Sequence, residues 1–352
     1  MVPEGGFRMR IAVMTGGTDA AGLNAAIRAV VRRALSLDFD VLGIRNGWAG
    51  LLGGGNFQRL DWRSVSGVLH LGGTILGTSR TNPVTRPEEF QQIQANLKVF
   101  GIDGLVVIGG QDTLWVAAEI QDVWPHVVGV PKTLDNNLEG SDFCIGHSTA
   151  VSVVTEALDR LHTTASSHHR VMVVEVMGRD AGWVAINGGL AGGADLIVIP
   201  EVPTDMEAIC SHILARRARG NEFSIIVVSE SAQIDGLSDE GIDLGNPDPF
   251  GHVKLDRRNI GERLSAEIEN RTGLEARFIV LGYLQRGGAP TAEDRILATR
   301  LGVAAVDYVV EGRFGYVPSL ICGSVVPVPL REVVATSRKA NLDLYELAGV
   351  FF

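Results

Sequence analysis

Short runs of apolar, mostly β-branched residues, each followed by glycine or polar residues, recur along this chain of 352 residues. Continuous apolar runs of this length are typical of strands buried on both faces, as in parallel sheets. The pattern therefore restricts the chain to folds built on buried parallel strands. The runs are Arg10–Met14, Gly104–Ile108, Val127–Val130, Val171–Val176, Ser224–Val228 and Phe278–Leu281.

Stretches with helical periodicity lie between these runs, at Leu23–Leu35, Ala150–Leu161, Arg257–Arg271 and Thr291–Val310. Alternation of strand and helix is typical of a doubly wound α/β fold, in which ligands bind at the carboxyl ends of the strands. We therefore expect the functional residues in the loops that follow the strands. The polar stretch Ser231–Asn259 predicts an exposed insertion.

The length and charge of the chain limit its partners. At about 100–200 residues per domain, 352 residues predict two domains or one large α/β unit. With 31 Lys and Arg against 41 Asp and Glu, the net charge is −10, and there is no block of basic residues. This balance argues against binding to nucleic acid or to an anionic membrane, whereas a few clustered arginines still allow an anionic substrate.

The cysteines and the N-terminal sequence predict a soluble, cytoplasmic protein. Cys144, Cys210 and Cys322 are widely spaced, and no Cys/His pattern has zinc-binding spacing. The neighbouring His168 and His169 would diverge on a helix or a strand, which disfavours a metal pair. The first residues lack the apolar run of a signal peptide, and no apolar run approaches the ~18 residues of a membrane span.

Three loops carry residues suited to phosphate chemistry. Thr15–Asn24 follows the first strand and opens a helix, so its glycines allow backbone N–H groups to approach an anion; the alternative is a tight turn without a ligand. This loop matches neither the Walker P-loop nor the GxGxxG fingerprint. In Gly109–Thr113, Asp112 and Thr113 can bind a magnesium-phosphate group or cap the next helix.

The third loop is Pro131–Asn137, where a cation, a hydroxyl and a carboxylate lie within five residues. Lys132 can neutralise a phosphate, and Asp135 can take a proton from an attacking hydroxyl. The alternative is a turn stabilised by the Asp-Asn-Asn side chains. Arginines near strand ends can bind phosphate through their planar guanidinium groups or form surface ion pairs; they are Arg80, Arg170, Arg179, Arg277 and Arg286.

These segments, in this order, resemble the phosphofructokinase family from about Arg10 to the C-terminus. The resemblance rests on GGTDAAGLNAAIRAVVRRAL, GGTILGTSRTNP, PKTLDNNLEGSDF, SSHHRVMVVEVMGRDAGW and LGYLQRGGAPTAEDRILA. It implies two doubly wound, Rossmann-like α/β domains with the active site in the cleft between them. Residues 1–146 with about 286–332 would bind the phosphate donor, and residues 147–285 with about 333–352 the sugar phosphate.

The activity implied by the resemblance is phosphoryl transfer to the 1-hydroxyl of fructose 6-phosphate, with Mg²⁺ as cofactor. Asp135 matches the catalytic base, with Thr133 and Arg179 as the other catalytic residues. The donor side corresponds to Gly16, Gly17, Arg80, Gly110, Asp112 and Lys132, and the metal position to Gln111 and Asp112. The sugar-phosphate contacts correspond to Arg170, Met177, Gly178, Glu230, Arg277, Tyr283 and Arg286. Arg170 and Arg277 are usually supplied across a subunit interface, which implies a homodimer or homotetramer with shared active sites.

Two positions bear on the identity of the donor. Members of the family that use pyrophosphate carry an acid at the position of Asp112 and a lysine at that of Lys132, so the resemblance favours pyrophosphate over ATP. An acidic side chain would crowd the α-phosphate of a nucleotide, and a lysine can hold the distal phosphate of a small donor. The Gly-Gly-x-Asp-Thr-Leu form also occurs among ATP users.

The chain departs from the family pattern at five positions. Neutral or bulkier residues replace a loop glycine, three acids and a histidine that contacts the 6-phosphate; they are Thr18, Gln111, Asn137, Ser148 and Tyr283. A neutral amide at Gln111 would bind magnesium more weakly than an acid. The sequence leaves open an enzyme with altered donor or acceptor preference and a weakly active, sugar-phosphate-binding or regulatory paralogue.

Overall fold

The structure is a computed structural model that describes residues 8–237, 239, 241–253 and 255–352. Its strands are β1 (Arg10–Thr15), β2 (Asp40–Ile44), β3 (Phe57–Leu60), β4 (Gly104–Gly109), β5 (Val127–Pro131), β6 (Val171–Val176), β7 (Leu196–Val198), β8 (Thr204–Asp205), β9 (Ser224–Ser229), β10 (Ile234–Asp235), β11 (Ala276–Val280), β12 (Tyr316–Ile321) and β13 (Ser324–Pro329). Its helices are α1 (Leu23–Ser36), α2 (Pro87–Val99), α3 (Gln111–Ile120), α4 (His147–His168), α5 (Trp183–Ala191), α6 (Met206–Ala218), α7 (Ile260–Thr272), α8 (Ala292–Val310), α9 (Leu330–Val333) and α10 (Leu342–Gly349).

The chain divides into two compact units. Unit 1 contains residues 8–133, Leu138–Gly146 and Arg286–Thr336. Unit 2 contains Leu134–Asn137, His147–Gln285 and Ser337–Phe352. Each unit is built on its own parallel or mostly parallel sheet covered by helices, which confirms the α/β fold predicted from the alternating pattern.

Unit 1 has a five-stranded sheet in the order β3-β2-β1-β4-β5, in which only β3 runs antiparallel to its neighbour. Its central strands β1 and β4 are buried almost throughout, as their continuous apolar sequences predict. Helices α1 and α8 pack against each other over this core. The strand order reverses between β1 and β4, and in doubly wound folds that point is where ligands bind.

Unit 2 has a four-stranded parallel sheet in the order β11-β6-β9-β7. Strands β6 and β9 lie at its centre and are fully buried. Apolar clusters cover both faces of this sheet, one of them including α4 and α5 and the other α6 and α7. Strand β11 is an edge strand, and Phe278 and Val280 on it are exposed.

Several elements differ from the sequence expectations in extent. Helix α4 continues beyond the predicted Ala150–Leu161 at both ends, and the last predicted strand is shifted to Ala276–Val280. The stretch Ser231–Asn259 is exposed in much of its described middle, but both of its ends are buried, at Ala232 and at Arg258. Residues 238, 240 and 254 of that stretch lie outside the described residues. No helix among the described residues is long and apolar enough to cross a membrane.

Candidate active site

The loops that follow β1, β4 and β5 meet at one edge of the unit 1 sheet, because these three parallel strands are neighbours. The backbone N–H of Gly16 donates to the carbonyl of Ile108 at 3.0 Å, and that of Lys132 donates to the carbonyl of Gly109 at 3.0 Å. The three loops with phosphate-type sequences are therefore adjacent, at the topological switch point of the sheet.

The first glycine loop, Gly16–Thr18, packs tightly against Thr113. A Cβ atom on Gly16 would lie 2.5 Å from Cγ2 of Thr113, so only glycine fits there without a shift. Gly17 has a φ of 77°, a left-handed conformation that favours glycine. Thr113 is buried in the first turn of α3, whose N-cap residue is Gly110 and has no side-chain cap. The alternative in which Thr113 caps this helix is therefore wrong: its side chain fills the space between the two glycine loops.

Lys132 lies against the backbone of the first glycine loop. Its side chain is 2% exposed, and its Nζ donates to the carbonyl of Gly16 at 3.4 Å and to the carbonyl of Thr18. A buried ammonium needs such acceptors because leaving it without hydrogen bonds would be costly. Lys132 thus braces Gly16–Thr18 and brings its positive charge to the loop.

A third segment of unit 1, Thr74–Arg80, runs beside the same loop. Gly17 donates its N–H to the carbonyl of Ser79 at 3.0 Å, and the Thr78 hydroxyl donates to the carbonyl of Gly17 at 2.6 Å. Arg80 follows directly and is exposed. The contacts of Gly17 therefore bring the Arg80 segment to the edge of the sheet where the three loops meet.

The start of α3 supplies the acid expected at the metal position. Gln111 and Asp112 are half-buried in the first helical turn, and a Cβ atom on Gly110 would lie 3.4 Å from the carbonyl oxygen of Lys132. Within the described parts of the chain, no cluster of three His, Cys, Asp or Glu side chains could hold a metal ion. Magnesium commonly binds through one or two carboxylates together with substrate phosphates and waters, so one carboxylate at Asp112 fits such an ion.

In unit 2, the residues expected to contact the sugar follow β6 and β9. Gly178 donates its N–H to Oε1 of Glu230 at 3.2 Å, and Met177 donates its N–H to Oε1 of Gln285 at 3.3 Å. The carbonyl of Gly178 accepts hydrogen bonds from the hydroxyls of Ser229 and Ser231, at 3.0 and 2.5 Å. Gly178 has a φ of 148° and lies too close to Ala181 to carry a Cβ. These bonds set the shape of the Met177–Arg179 loop.

The segment Leu134–Asn137, which carries Asp135, packs in unit 2 beside that loop. The Nδ2 amide of Asn137 lies 3.4 Å from Oδ2 of Asp180 and 3.2 Å from Oγ of Ser337. Asp180 follows Arg179, whose Nε is 3.8 Å from the same carboxylate oxygen. The structure thus brings the expected base segment and the expected Arg179 segment together.

Arg170 and Arg277 lie at the opposite edge of the unit 2 sheet. Arg170 precedes β6, and Arg277 pairs with Met172 near its start, so both mark the amino ends of strands. Here Arg170 forms an ion pair with Glu275 at 2.8 Å, and Arg277 contacts Glu275 and lies 3.4 Å from Glu269. Along β6 this edge is roughly 20 Å from Met177, at about 3.3 Å per residue.

The remaining two expected phosphate contacts are placed differently. Tyr283 is 76% exposed in unit 2. Arg286 belongs to unit 1, where its Nη1 donates to the carbonyl of Asp19 at 3.2 Å. The structure therefore does not gather the expected 6-phosphate residues in one unit of a single chain.

The sequence model of the family described as phosphofructokinase matches residues 10–309. The chain belongs to the phosphofructokinase family. It is 49% identical over 350 residues to a pyrophosphate–fructose 6-phosphate 1-phosphotransferase of Streptomyces coelicolor, covering 98% of this chain and 100% of that protein. It is 45% identical over 349 residues to an ATP-dependent 6-phosphofructokinase of Corynebacterium efficiens, covering 98% and 99%.

A phosphofructokinase of Pichia pastoris in the T-state superposes with a TM-score of 0.81 at 33% identity. The match covers 100% of this chain and 37% of that longer chain. The phosphofructokinase fold predicted from the sequence is therefore confirmed.

Sequence reasoning missed several residues that shape these phosphofructokinase loops. Gln285 is fully buried, and Glu201 accepts the N–H of Gly182 with both carboxylate oxygens, at 3.0 and 3.1 Å. Arg338 lies in the last part of the chain and donates to the carbonyl of Asn136. Gln285 lies within the segment LGYLQRGGAPTAEDRILA, but its contact is with the backbone N–H of Met177, and a contact to a backbone atom leaves no pattern of residue types in the sequence.

Proposed function

We propose that the chain transfers a phosphoryl group from pyrophosphate to the 1-hydroxyl of fructose 6-phosphate, giving fructose 1,6-bisphosphate and orthophosphate. The observation that supports pyrophosphate most directly is the buried Lys132 ammonium beneath the first glycine loop, next to the loop that carries Asp112. A small tetra-anionic donor gains more from one fixed positive charge than a nucleotide whose base and sugar bind elsewhere.

On the donor side, the backbone of Gly16, Gly17 and Gly110 allows close approach of phosphate oxygens, and the start of α3 adds partial positive charge. Lys132 and Arg80 supply positive charge. Asp112, with Gln111 beside it, would hold magnesium together with the phosphates of the donor. When bound, that ion neutralises charge on the donor phosphates.

On the acceptor side, Met177, Gly178 and Glu230 hold the sugar, and Asp135 is the base. The 1-hydroxyl oxygen forms a bond to the transferred phosphorus while its proton passes to the carboxylate of Asp135. The bond between that phosphorus and the bridging oxygen of pyrophosphate breaks, and orthophosphate leaves. Thr133, two residues before Asp135 in the chain, and Arg179 stabilise charge on the transferred group.

We further propose that the active form is a homodimer or homotetramer. Arg170 and Arg277 lie at the amino edge of the unit 2 sheet, roughly 20 Å along β6 from the sugar loop of the same chain. In this account they bind the 6-phosphate of a sugar held by a partner copy. Within one chain, Arg170 forms an ion pair with Glu275, and Arg277 forms ion pairs with Glu275 and Glu269.

An ATP-dependent 6-phosphofructokinase is the second candidate. It is favoured by the 45% identity to the ATP-dependent relative from Corynebacterium efficiens, which is close to the 49% identity to the pyrophosphate-dependent one. The two candidates differ in the role of Lys132 and Asp112, because an ATP site must admit an α-phosphate next to them.

A coupled assay of fructose 1,6-bisphosphate formation, run in parallel with pyrophosphate, ATP and ADP at saturating magnesium, separates these functions. We expect the kcat/KM for pyrophosphate to exceed that for ATP by at least about tenfold, a difference of ~1.4 kcal/mol in transition-state binding. Higher kcat/KM with ATP would establish the second candidate. No turnover with any donor, with fructose 6-phosphate binding in calorimetry, would show a binding paralogue.

A further inference from the structure

Two backbone carbonyls that bracket Asp135 and Asn136 are held by side chains of unit 2. The carbonyl of Leu134, before Asp135, faces His147 at the start of α4. The carbonyl of Asn136, after Asp135, faces Arg338 near the end of the chain. The first contact holds the peptide group that joins Leu134 to Asp135, and the second holds the peptide group between Asn136 and Asn137. Together they restrain the backbone that carries the carboxylate of the proposed base.

His147 makes a hydrogen bond on each side of its ring and is 1% exposed. Its Nδ1 lies 2.7 Å from the carbonyl of Leu134, and a carbonyl only accepts, so Nδ1 carries the proton. Its Nε2 lies 2.8 Å from Nδ2 of Asn187 on α5, an amide that donates. This pair of partners selects the neutral ring with one tautomer. Burial and the positive charge of Arg338 agree with this, since they lower the pKa of His147 to about 4.

Arg338 holds the other side of the segment through a forked contact. Its Nε and Nη2 donate to the carbonyl of Asn136 at 3.2 and 2.9 Å. The guanidinium lies 4.5 Å from the ring centroid of Trp183, whose Nε1 donates to the carbonyl of Arg338 at 3.3 Å. The planar group is thereby fixed by stacking as well as by hydrogen bonds.

The segment has a backbone conformation that needs such support. Asn136 has a φ of 52°, in the left-handed region that residues other than glycine rarely adopt. Such conformations persist where the surrounding contacts determine them, and they are common at active sites. Here the two held carbonyls flank the strained residue and the proposed base.

We propose that His147 and Arg338 are positioning residues that clamp the peptide group before Asp135 and the peptide group after Asn136, and thereby orient the Asp135 carboxylate toward the acceptor hydroxyl. This proposal rests on the proposed function of Asp135 as the base. Neither side chain touches substrate in this account, so their loss affects the chemical step more than sugar binding. A misplacement of about 1 Å can reduce a rate by ~10²-fold.

The kinetic test compares His147→Leu and Arg338→Met with parent enzyme and with His147→Asn, whose amide can reproduce the Nδ1 donor. We expect kcat to fall about 10–100-fold in the first two, KM for fructose 6-phosphate to stay within about threefold, and His147→Asn to recover most of the rate. A kcat within twofold of parent in His147→Leu and Arg338→Met, or a loss confined to KM, would overturn the proposal.

Matched controls remove comparable contacts elsewhere. His162 lies on the same helix and its Nε2 is 2.9 Å from the carbonyl of Gly192, so His162→Leu removes a similar contact away from Asp135. Arg313 has a guanidinium 5.9 Å from the ring of Tyr308, and Arg313→Met removes that contact in unit 1. We expect both controls to keep kcat near parent. A loss of kcat in the controls as large as in the clamp variants would show a general structural effect and overturn the proposal.

Hydrogen–deuterium exchange tests the clamp without relying on activity. In His147→Leu and Arg338→Met, amides of residues 135–137 should exchange at least about fivefold faster, those of β6 should be unchanged, and His147→Asn should resemble parent. Unchanged exchange at residues 135–137 would overturn the clamp. An inactive parent would instead contradict the proposed function, and the exchange result would still decide whether the clamp exists.

Discussion

The side-chain amide of Asn137 lies 3.4 Å from a carboxylate oxygen of Asp180. The family pattern has an acid at the position of Asn137, and an acid there would face Asp180 as a like charge. The amide instead donates a hydrogen bond, and the second partner of its Nδ2 is the Ser337 hydroxyl. Asn137, which departs from the family pattern, is therefore paired through a hydrogen bond with Asp180, the acid that follows Arg179.

Asn137→Asp is expected to destabilise the protein by about 1–2 kcal/mol at pH 7, because a donor is lost and two carboxylates become neighbours. Thermal and urea unfolding of the purified variant measure this change. The double variant Asn137→Asp with Asp180→Asn restores an amide–carboxylate pair, and its stability should return to within about 0.5 kcal/mol of parent. Equal stability of parent and the single variant would show that the hydrogen bond between Asn137 and Asp180 does not stabilise the protein.

Gly16→Ala tests the close packing of the first glycine loop on Thr113. The new methyl group would meet Cγ2 of Thr113 at 2.5 Å, and overpacking of this kind costs about 1–3 kcal/mol. Denaturant unfolding measures the loss, and Thr113→Ala in the same chain should recover much of it. Gly54→Ala is the control, because nothing lies within 4 Å of its Cβ position and its φ is not positive.

Lys132→Gly should reduce pyrophosphate use far more than ATP use. The ammonium that braces Gly16–Thr18 is proposed to hold the distal phosphate, and its loss removes a charge-assisted contact that a nucleotide can partly replace. We expect kcat/KM for pyrophosphate to fall at least about 100-fold and that for ATP by less than about tenfold. Lys132→Met, which keeps the aliphatic stem, separates loss of charge from loss of packing. Equal losses with both donors would show that Lys132 only braces the loop.

The pKa of His147 predicts a pH dependence of stability. The folded pKa is about 4 and the ordinary value is 6.5, so the unfolded chain binds the proton more readily. The free energy of unfolding is therefore not reduced by this histidine above pH 6.5. It decreases as the pH falls from 6.5 toward 4, by roughly 3 kcal/mol in total. Urea unfolding at pH 7 and at pH 5 should show about 2 kcal/mol of this loss in parent and a smaller loss in His147→Phe. The same pH slope in both proteins would contradict it.

The sequence was most informative where burial shapes the residue pattern. Strands β1, β4, β5, β6 and β9 read as continuous apolar runs because both of their faces are covered, and the loops after them could be named in advance. Strand β3 (FQRL) and the β12–β13 hairpin were missed, since their faces are partly exposed and the hairpin contains prolines.

The candidate site was predictable only in part, for a related reason. Gly16, Lys132 and Asp135 could be predicted because their residue types and their positions after strands indicate phosphate binding and proton transfer. His147 and Arg338 act on backbone carbonyls from 13 and 202 residues away, and no residue pattern records such a contact. Arg277 lies inside β11, near the amino edge of the sheet, because β11 pairs with β6 in this register. The apolar run alone could not predict this pairing.

Pyrophosphate as the donor and Asp135 as the base are testable in one experiment. Phosphorus-31 NMR of the enzyme with pyrophosphate, fructose 6-phosphate and magnesium follows both directly, with Asp135→Asn as the control. We predict that the pyrophosphate signal is replaced by orthophosphate and fructose 1,6-bisphosphate, that the reverse mixture regenerates pyrophosphate, and that Asp135→Asn slows conversion by ~10²–10⁴-fold. A pyrophosphate signal that stays constant while ATP is consumed, or an Asp135→Asn variant with parental turnover, would contradict the account.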